Sequence, residues 1–316
     1  MREWRAGAAL RSPPARRTAG RRVTHSIREA SAGLHPTCAG VSGAGFRPPA
    51  EVLRPAHRWR AARQTAYAPE VMHAASVFFM SDAHLGVDPA EAEGARTARL
   101  HDFLNSLPGR ASSLYIVGDL FDFWFEYSTA IPRLHFRTLA VLQRLRETGL
   151  DIAYLNGNHD FWLGSFFRDT LGIRTIDGAA TVETQGRRLW VHHGDGLVSG
   201  DLGYRMLKSV LRSRTSVALY GCLHPDLGIP FAHVVSRWSR KSRGERPLTP
   251  EPLWQQIALP RFRDGYDGVL IGHFHHAFER REGGREFFIL GDWIDSFTYV
   301  ELCDGRLELK VWPAPA

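Results

Sequence analysis

Five short polar clusters, built from Asp, Asn, His and Gly, each follow directly after an apolar run of the chain. They are Asp82-Ala83-His84, Gly118-Asp119, Gly157-Asn158-His159-Asp160, His192-His193-Gly194-Asp195 and Gly272-His273-Phe274-His275. Carboxylate, amide and imidazole ligands delivered from several strand ends are what a two-metal hydrolytic site requires. The sequence therefore predicts a metal-dependent enzyme.

The spacing inside the clusters supports one shared site. In an extended segment, residues two apart point to the same side, which applies to Asp82 with His84 and to His273 with His275. A lone Gly-Asp or His-His pair is more often a turn or a structural polar group. Five clusters in this order, each after a strand, argue against that interpretation.

The apolar runs ahead of the clusters predict strands, and helical patterns lie between some of them. Strands are expected at 75–80, 113–117, 151–155, 188–191 and 268–271, and helices at 91–107 and 132–148. This alternation is typical of an α/β fold with a largely parallel sheet, in which ligands bind beyond the carboxyl ends of strands. Strands at 287–290, 297–302 and 307–312 are expected to form a C-terminal meander.

Residues 197–246 interrupt this rhythm and predict an inserted helical cap. They contain nine Arg and Lys residues against three Asp and Glu, with helix patterns at about 201–213 and 229–241 and no clear strand. We therefore expect one domain over residues 72–316 that carries this cap.

Residues 1–71 are predicted to be a disordered, Arg-rich leader. Residues 1–70 contain 13 Arg, no Lys and four acidic residues, so the rest of the chain carries a net charge of −2 although the whole carries +7. The basic charge is therefore weak evidence for a nucleic-acid partner. The leader could be a transit peptide, a basic arm or the product of a mis-assigned start codon, and the last fits best because Met72 lies just ahead of the first strand.

The remaining composition favours a cytoplasmic enzyme. The three cysteines form no CxxC pair, which argues against a zinc-thiolate site or a disulfide framework. No run approaches the ~20 apolar residues of a membrane span, so we expect any membrane contact to be peripheral.

The ordered clusters resemble the calcineurin-like metallophosphoesterase superfamily over roughly residues 75–300. Within it the chain is most similar to the UDP-2,3-diacylglucosamine diphosphatase family of bacterial lipid A biosynthesis. The finer similarity rests on Tyr115–Trp124, on His193-Gly194-Asp195 followed by Asp201 and Tyr204, on the helical insertion, and on Leu290-Gly291-Asp292-Trp293. The resemblance implies a layered β-sheet core flanked by helices, and hydrolysis of a lipid-linked sugar nucleotide to the lipid monophosphate and UMP.

The resemblance also implies a ligand set for two divalent metal ions. The first ion would be held by Asp82, His84 and His275, the second by Asn158, His193 and His273, and both by Asp119. Mixed oxygen and nitrogen ligands suit manganese, with iron or zinc as alternatives.

One position departs from a common pattern of the diphosphatase family. Many members carry Arg after the Asn of the third cluster, whereas this chain has His159. His159 would contact the phosphate or protonate the leaving group, with Asp160 as its orienting carboxylate. The alternative is that His159 only positions Asn158 through a hydrogen bond.

The cap is expected to bind the substrate. Leu202, Met206, Leu207, Val210 and Leu211 could line a slot for acyl chains, Asp201 aligns with a substrate-contacting Asp of the family, and Arg237, Arg240 and Lys241 could face phosphate or an anionic membrane surface. The alternative is a cap packed on its own core with a solvated basic face.

We expect peripheral association with the inner membrane, no nucleic-acid partner and no obligate protein partner. Two other functions compete with the diphosphatase. One is a metallophosphoesterase that acts on a nucleotide, a phosphodiester or a phosphoprotein. The other is a non-catalytic scaffold, which would have lost ligands, whereas here all seven ligand positions are filled.

Overall fold

Two mixed β-sheets enclose a common apolar core in the computed structural model, which describes residues 75–87, 90–198, 206, 209–232, 234 and 249–314. The predicted leader lies outside the described residues. So do the predicted substrate-binding residues Asp201, Arg237, Arg240 and Lys241, together with Leu202 and Leu207 of the predicted acyl slot.

The strands follow one another along the chain as eleven short segments. They are β1 (Ser76–Met80), β2 (Ala111–Val117), β3 (Asp151–Leu155), β4 (Arg174–Ile176), β5 (Ala180–Thr184), β6 (Arg187–His192), β7 (Gly268–Ile271), β8 (Ala277–Glu282), β9 (Arg285–Leu290), β10 (Thr298–Cys303) and β11 (Arg306–Val311). The first sheet has the order β11-β10-β1-β2-β3-β4 and the second has the order β5-β6-β7-β9-β8.

Each sheet has a parallel centre. Strands β1 to β4 pair in parallel, and β10 joins β1 antiparallel with β11 beyond it. In the second sheet β6, β7 and β9 are parallel, while β5 and β8 are antiparallel edge strands. The parallel strands place their carboxyl ends along one edge of each sheet.

Strand β1 shows why the central strands are continuously apolar. Val77 and Phe79 belong to the core between the two sheets, whereas Phe78 and Met80 face the opposite way into a core that includes residues of the flanking helices. All five residues of β1 are buried. A strand covered on both faces needs apolar residues at every position, and this gives the uninterrupted run seen in the sequence.

Helices flank the sheets. They are α1 (Ala90–Asn105), α2 (Phe136–Glu147), α3 (Phe166–Asp169), α4 (Arg214–Gly221), α5 (Pro250–Leu253) and α6 (Leu259–Arg263), with a 3-10 turn at Arg133–His135 and a π-helical turn at Trp254–Ala258. Leu139, Leu142 and Leu145 lie on the buried face of α2. Leu134 is 62% exposed because it lies in the 3-10 turn before the helix.

The α/β fold class with a layered sheet core is confirmed, while the detailed sheet predictions are partly wrong. The core holds two mixed sheets rather than one largely parallel sheet. The predicted C-terminal meander is wrong because β9 lies in the second sheet and β10 and β11 lie in the first. Strand β5 was missed because its alternating burial leaves no apolar run.

Most of the described residues in 197–246 are helical. Helix α4 lies there, together with helical residues at 209–211 and 225–232. Helix α4 was not predicted, and it has no buried residue whose periodicity could have revealed it. Over the described ranges, none of the helices combines the length and the apolar character needed to cross a membrane.

Candidate metal centre

The five polar clusters lie at the carboxyl ends of β1, β2, β3, β6 and β7, where the two sheets meet. Backbone hydrogen bonds connect the first two clusters, since Asp82 N donates to Gly118 O at 3.2 Å and His84 N donates to Asp119 O at 2.9 Å. The side chain of Asp82 accepts from His273 N at 2.8 Å, which connects the first sheet to the second. The strand ends therefore bring together residues that are almost 200 positions apart.

One group of possible metal ligands contains Asp82, His84 and His275, whose ligand atoms all lie within 4.8 Å of one another. His84 Nε2 is 3.1 Å from His275 Nε2 and 3.6 Å from Asp82 Oδ1. His275 Nε2 is 3.4 Å from Asp82 Oδ1. With metal–ligand bonds of about 2.1 Å, neighbouring ligand atoms of one ion lie about 3.0–3.4 Å apart. This group therefore has the spacing that one ion needs.

A second group contains Asp119, His193 and His273. His193 Nε2 lies 3.2 Å from Asp119 Oδ2 and 3.0 Å from Asn158 Oδ1, which brings the amide of Asn158 into the same group. His193 Nδ1 lies 2.9 Å from Val117 O, and because a carbonyl only accepts, Nδ1 must donate. Nε2 is therefore the ring nitrogen that is directed into the site, where it could bind a metal ion.

Asp119 lies between the two groups. Its Oδ2 is 3.5 Å from His84 Nε2 and 3.2 Å from His193 Nε2. Its Oδ1 accepts from His159 N at 2.8 Å, so the orientation of the carboxylate is fixed by the backbone of the third cluster. This is the position from which one carboxylate could serve two ions.

The electrostatics of the two groups fit divalent cations. Asp82 Oδ1 and His84 Nδ1 are buried without a hydrogen-bond partner. Burial alone would lower the pKa of His84, but the carboxylates of Asp122, Asp82 and Asp119 outweigh it and raise that pKa to about 10. Burial also lowers the pKa of His193, but the negative charge of Asp119 outweighs this effect and the pKa rises to about 10. The buried carboxylates thus demand positive charge, which divalent metal ions would supply.

A third group contains His84, Asp122 and His159, and the sequence did not predict it as a set. His159 Nδ1 lies 3.0 Å from Asp122 O and 3.4 Å from Asp122 Oδ1. The rings of His84 and His159 meet edge to face with their centroids 4.7 Å apart. His159 therefore lies directly beside the first group of ligands.

The prediction that Asp160 orients His159 is wrong. Asp160 is fully buried and accepts hydrogen bonds from the backbone amides of Asp119 at 3.1 Å, Phe121 at 3.3 Å and Gly157 at 2.9 Å. It also accepts from the hydroxyl of Tyr154. Its oxygens hold the backbone of two clusters together, and Asp122 occupies the position that was expected of Asp160.

The backbone brings the side chains together in a way that the sequence reasoning missed. Five of the seven predicted ligands have positive φ, namely Asp82 (57°), His84 (44°), Asp119 (52°), His273 (74°) and His275 (52°). We expected extended segments, in which alternation aligns the side chains, but these residues adopt the left-handed region. Asp and His tolerate it better than most residues, at a cost of about 1–3 kcal/mol each.

Two glycines make the close approach of the clusters possible. A Cβ on Gly157 would lie 2.0 Å from Asp119 Oδ1, and a Cβ on Gly272 would lie 2.0 Å from Ser81 Oγ and 2.7 Å from Asp82 Oδ2. No side chain fits at either position without displacing a predicted ligand.

Asp292 is a further polar residue that the sequence reasoning did not single out for the site. Its Oδ2 lies 4.0 Å from His275 Nδ1, while its Oδ1 accepts from the backbone amides of Ile294, Asp295 and Ser296. The Leu290-Gly291-Asp292-Trp293 motif was the available signal, since it follows the last predicted strand before the C-terminal pair.

Comparison with known proteins agrees with this geometry. The profile of the calcineurin-like phosphoesterase family matches residues 75–277. This chain belongs to the calcineurin-like phosphoesterase family. The predicted enzyme class is thereby confirmed: this phosphoesterase is a metal-dependent hydrolase, and its family membership implies divalent metal ions.

Several curated relatives share most of their length with this phosphoesterase. The chain is 30% identical to the UDP-2,3-diacylglucosamine hydrolase of Porphyromonas gingivalis, over 71% of this chain and 92% of the relative. It is 29% identical to the protein of the same name from Nitrosococcus oceani, over 69% and 87%. It is 26% identical to that of Neisseria meningitidis serogroup B, over 72% and 94%.

Proposed function

We propose that this phosphoesterase hydrolyses the pyrophosphate of UDP-2,3-diacylglucosamine and releases UMP and the lipid monophosphate. The shared position of Asp119 Oδ2, 3.5 Å from His84 Nε2 and 3.2 Å from His193 Nε2, carries the reaction type, because it joins two ligand groups into one dinuclear centre. The named relatives, which match about 70% of the chain, support the substrate.

We assign the metal ligands as the family resemblance implies. Asp82, His84 and His275 would hold the first ion, Asn158, His193 and His273 would hold the second, and Asp119 would contribute to both sites. Manganese suits this oxygen and nitrogen set, with iron and zinc as alternatives. When bound, the ions would lower the pKa of a water molecule and neutralise charge on the phosphoryl oxygens.

His159 is our candidate for the proton donor to the leaving group. Its Nδ1 lies beside the carbonyl and carboxylate of Asp122, so Nδ1 donates there, and the other ring nitrogen, Nε2, is the atom that would exchange a proton with substrate. The side chain is 14% exposed, so it is not fully sealed from solvent. Asp122, not Asp160, is the residue that orients it.

The helical insertion supports a lipid substrate and a peripheral membrane location. Eleven large apolar residues are exposed in the described part of the chain, and eight of them lie in the insertion: Met206, Val210, Leu211, Leu219, Leu223, Leu227, Phe231 and Val234. A cap packed on its own core would bury such residues. Clustered apolar exposure is typical of surfaces that meet lipid or another apolar partner.

Asp201, Arg237, Arg240 and Lys241 remain proposed contacts to substrate or to the cytoplasmic face of the inner membrane.

One observation favours a second candidate, a phosphoesterase for another substrate such as a nucleotide, a phosphodiester or a phosphoprotein. His159 stands where many members of the diphosphatase family carry Arg. An imidazole offers one donor at a time to a phosphate, whereas a guanidinium can offer two.

Turnover of the purified chain separates the two candidates. UDP-2,3-diacylglucosamine is incubated with manganese, with and without chelator, and UMP and the lipid monophosphate are quantified by mass spectrometry. We expect both products in equal amounts and no turnover with chelator. Hydrolysis of a generic aryl phosphodiester without any UMP release from the lipid would refute the diphosphatase and leave the second candidate.

A further inference from the structure

Arg212 connects the helical insertion to the loop that carries Asn158. Its Nη2 donates to Gly157 O at 3.0 Å, and its Nη1 lies 2.9 Å from Asp177 Oδ1, just beyond β4. The guanidinium lies over the ring of Phe161, 5.1 Å from its centroid. A planar guanidinium with these three partners has little freedom to rotate, so Arg212 fixes the position of the Gly157 carbonyl relative to the insertion.

The peptide groups around Asn158 are held from both sides. Gly157 N donates to the buried Asp160 at 2.9 Å, while Gly157 O accepts from Arg212. After Asn158, the amide of His159 donates to Asp119 Oδ1 at 2.8 Å. Asp160 and Asp119 are buried residues of the core, whereas Arg212 belongs to the insertion.

We propose that Arg212 is a positioning residue that makes the second metal site depend on the helical insertion. This inference rests on the proposed metal centre, in which Asn158 is a ligand. An amide oxygen is neutral and binds a cation less strongly than a carboxylate, so its contribution depends on orientation. Partners that orient metal ligands typically contribute about 10–100-fold to metal affinity or activity.

A purely structural role for Arg212 would act through Asp177 instead. The side chain of Asp177 is 75% exposed, and ion pairs with exposed partners contribute about 0–1 kcal/mol. Asp177→Asn removes the negative charge of that ion pair and leaves the hydrogen bond to Gly157 O in place. If Arg212 acts through Asp177, Asp177→Asn should lower manganese affinity as much as a substitution of Arg212 does. If it acts through Gly157 O, only substitution of Arg212 should do so.

The test compares Arg212→Met, Arg212→Lys and Asp177→Asn with wild type in the full chain. Arg214→Met serves as the control, because Arg214 is an exposed cation on the same segment. Manganese content and affinity are measured by chelator competition, thermal unfolding is measured without metal, and kcat and KM are determined. Arg212→Lys keeps the positive charge and a donor group, and it covers the case in which Arg212→Met folds poorly.

We expect Arg212→Met to lower the affinity for one of the two manganese ions by about 10–100-fold. It should also lower kcat by a larger factor than it raises KM. Arg212→Lys should fall in between, and Asp177→Asn and Arg214→Met should match wild type. Two ions bound to Arg212→Met and to Arg212→Lys with wild-type affinity would overturn the role of Arg212 alone. Absence of manganese binding by wild type would overturn the proposed metal centre as well.

Discussion

The carboxylate of Asp122 lies 3.4 Å from Nδ1 of His159, and the same residue offers its backbone carbonyl to that nitrogen at 3.0 Å. The carboxylate is also 3.7 Å from His84 Nδ1, so one buried side chain faces a proposed metal ligand and the proposed acid. Asp122, three residues after Asp119, thus links metal binding by His84 to proton donation by His159.

Replacing Asp122 by Asn should impair catalysis through His159. The amide keeps the size of the side chain but cannot stabilise a positively charged imidazole. We expect His159→Ala to lower kcat by about 10²–10⁴-fold and Asp122→Asn by at least about 10-fold. The double variant should be no slower than His159→Ala, because residues that act as a unit are not additive. Multiplicative losses in the steady-state rates would argue that Asp122 acts separately from His159.

Asp160→Asn offers the contrast to Asp122→Asn. Asp160 accepts four hydrogen bonds in full burial, and its replacement by Asn exchanges one accepting oxygen for an NH2 group that faces the existing donors. We expect a loss of stability of about 1–3 kcal/mol in denaturant unfolding. If Asp160→Asn left the free energy of unfolding unchanged but shifted the pH profile of kcat, the assignment of Asp160 as a structural residue would be wrong.

The apolar runs were sufficient to place the polar clusters at strand ends, and the family resemblance supplied the proposed ligand set. It was not sufficient for the pairing of His159, because adjacency to Asp160 suggested a contact, whereas the turn after β3 sends Asp160 into the core. The left-handed conformations of Asp82 and His275 were equally hidden, since no local sequence pattern indicates them. Strand β4, with three residues, is too short for any periodicity to reveal.

Gly157→Ala should damage the site although it adds only one methyl group. The new Cβ would lie 2.0 Å from Asp119 Oδ1, so the carboxylate or the loop must move. We expect loss of bound manganese and of turnover. Gly94→Ala is the matched control, because nothing lies within 4 Å of its Cβ in helix α1, and it should stabilise the fold by about 0.4–1 kcal/mol. Normal metal content in Gly157→Ala would show that the loop adapts.

The exposed apolar residues of the insertion should determine binding to lipid. Leu219 is 67% exposed and Phe231 is 60% exposed, and each could contribute about 1.5–3 kcal/mol when buried in lipid. We expect Leu219→Ser with Phe231→Ser to reduce co-sedimentation with phosphatidylglycerol and phosphatidylethanolamine vesicles at least about tenfold. Val311→Ser, at a residue 63% exposed on β11, is the control and should bind as wild type does. Equal loss in both variants would contradict a specific lipid-facing insertion.

The metal content of Asp119→Ala tests the dinuclear centre most directly. Because Asp119 Oδ2 lies between the two ligand groups, its removal should weaken the binding of both ions and abolish turnover. In elemental analysis after equilibration with manganese, we predict two ions per wild-type chain and fewer than one per Asp119→Ala chain, with both proteins folded by circular dichroism. Two ions retained by folded Asp119→Ala would contradict the bridging role and the account built on it.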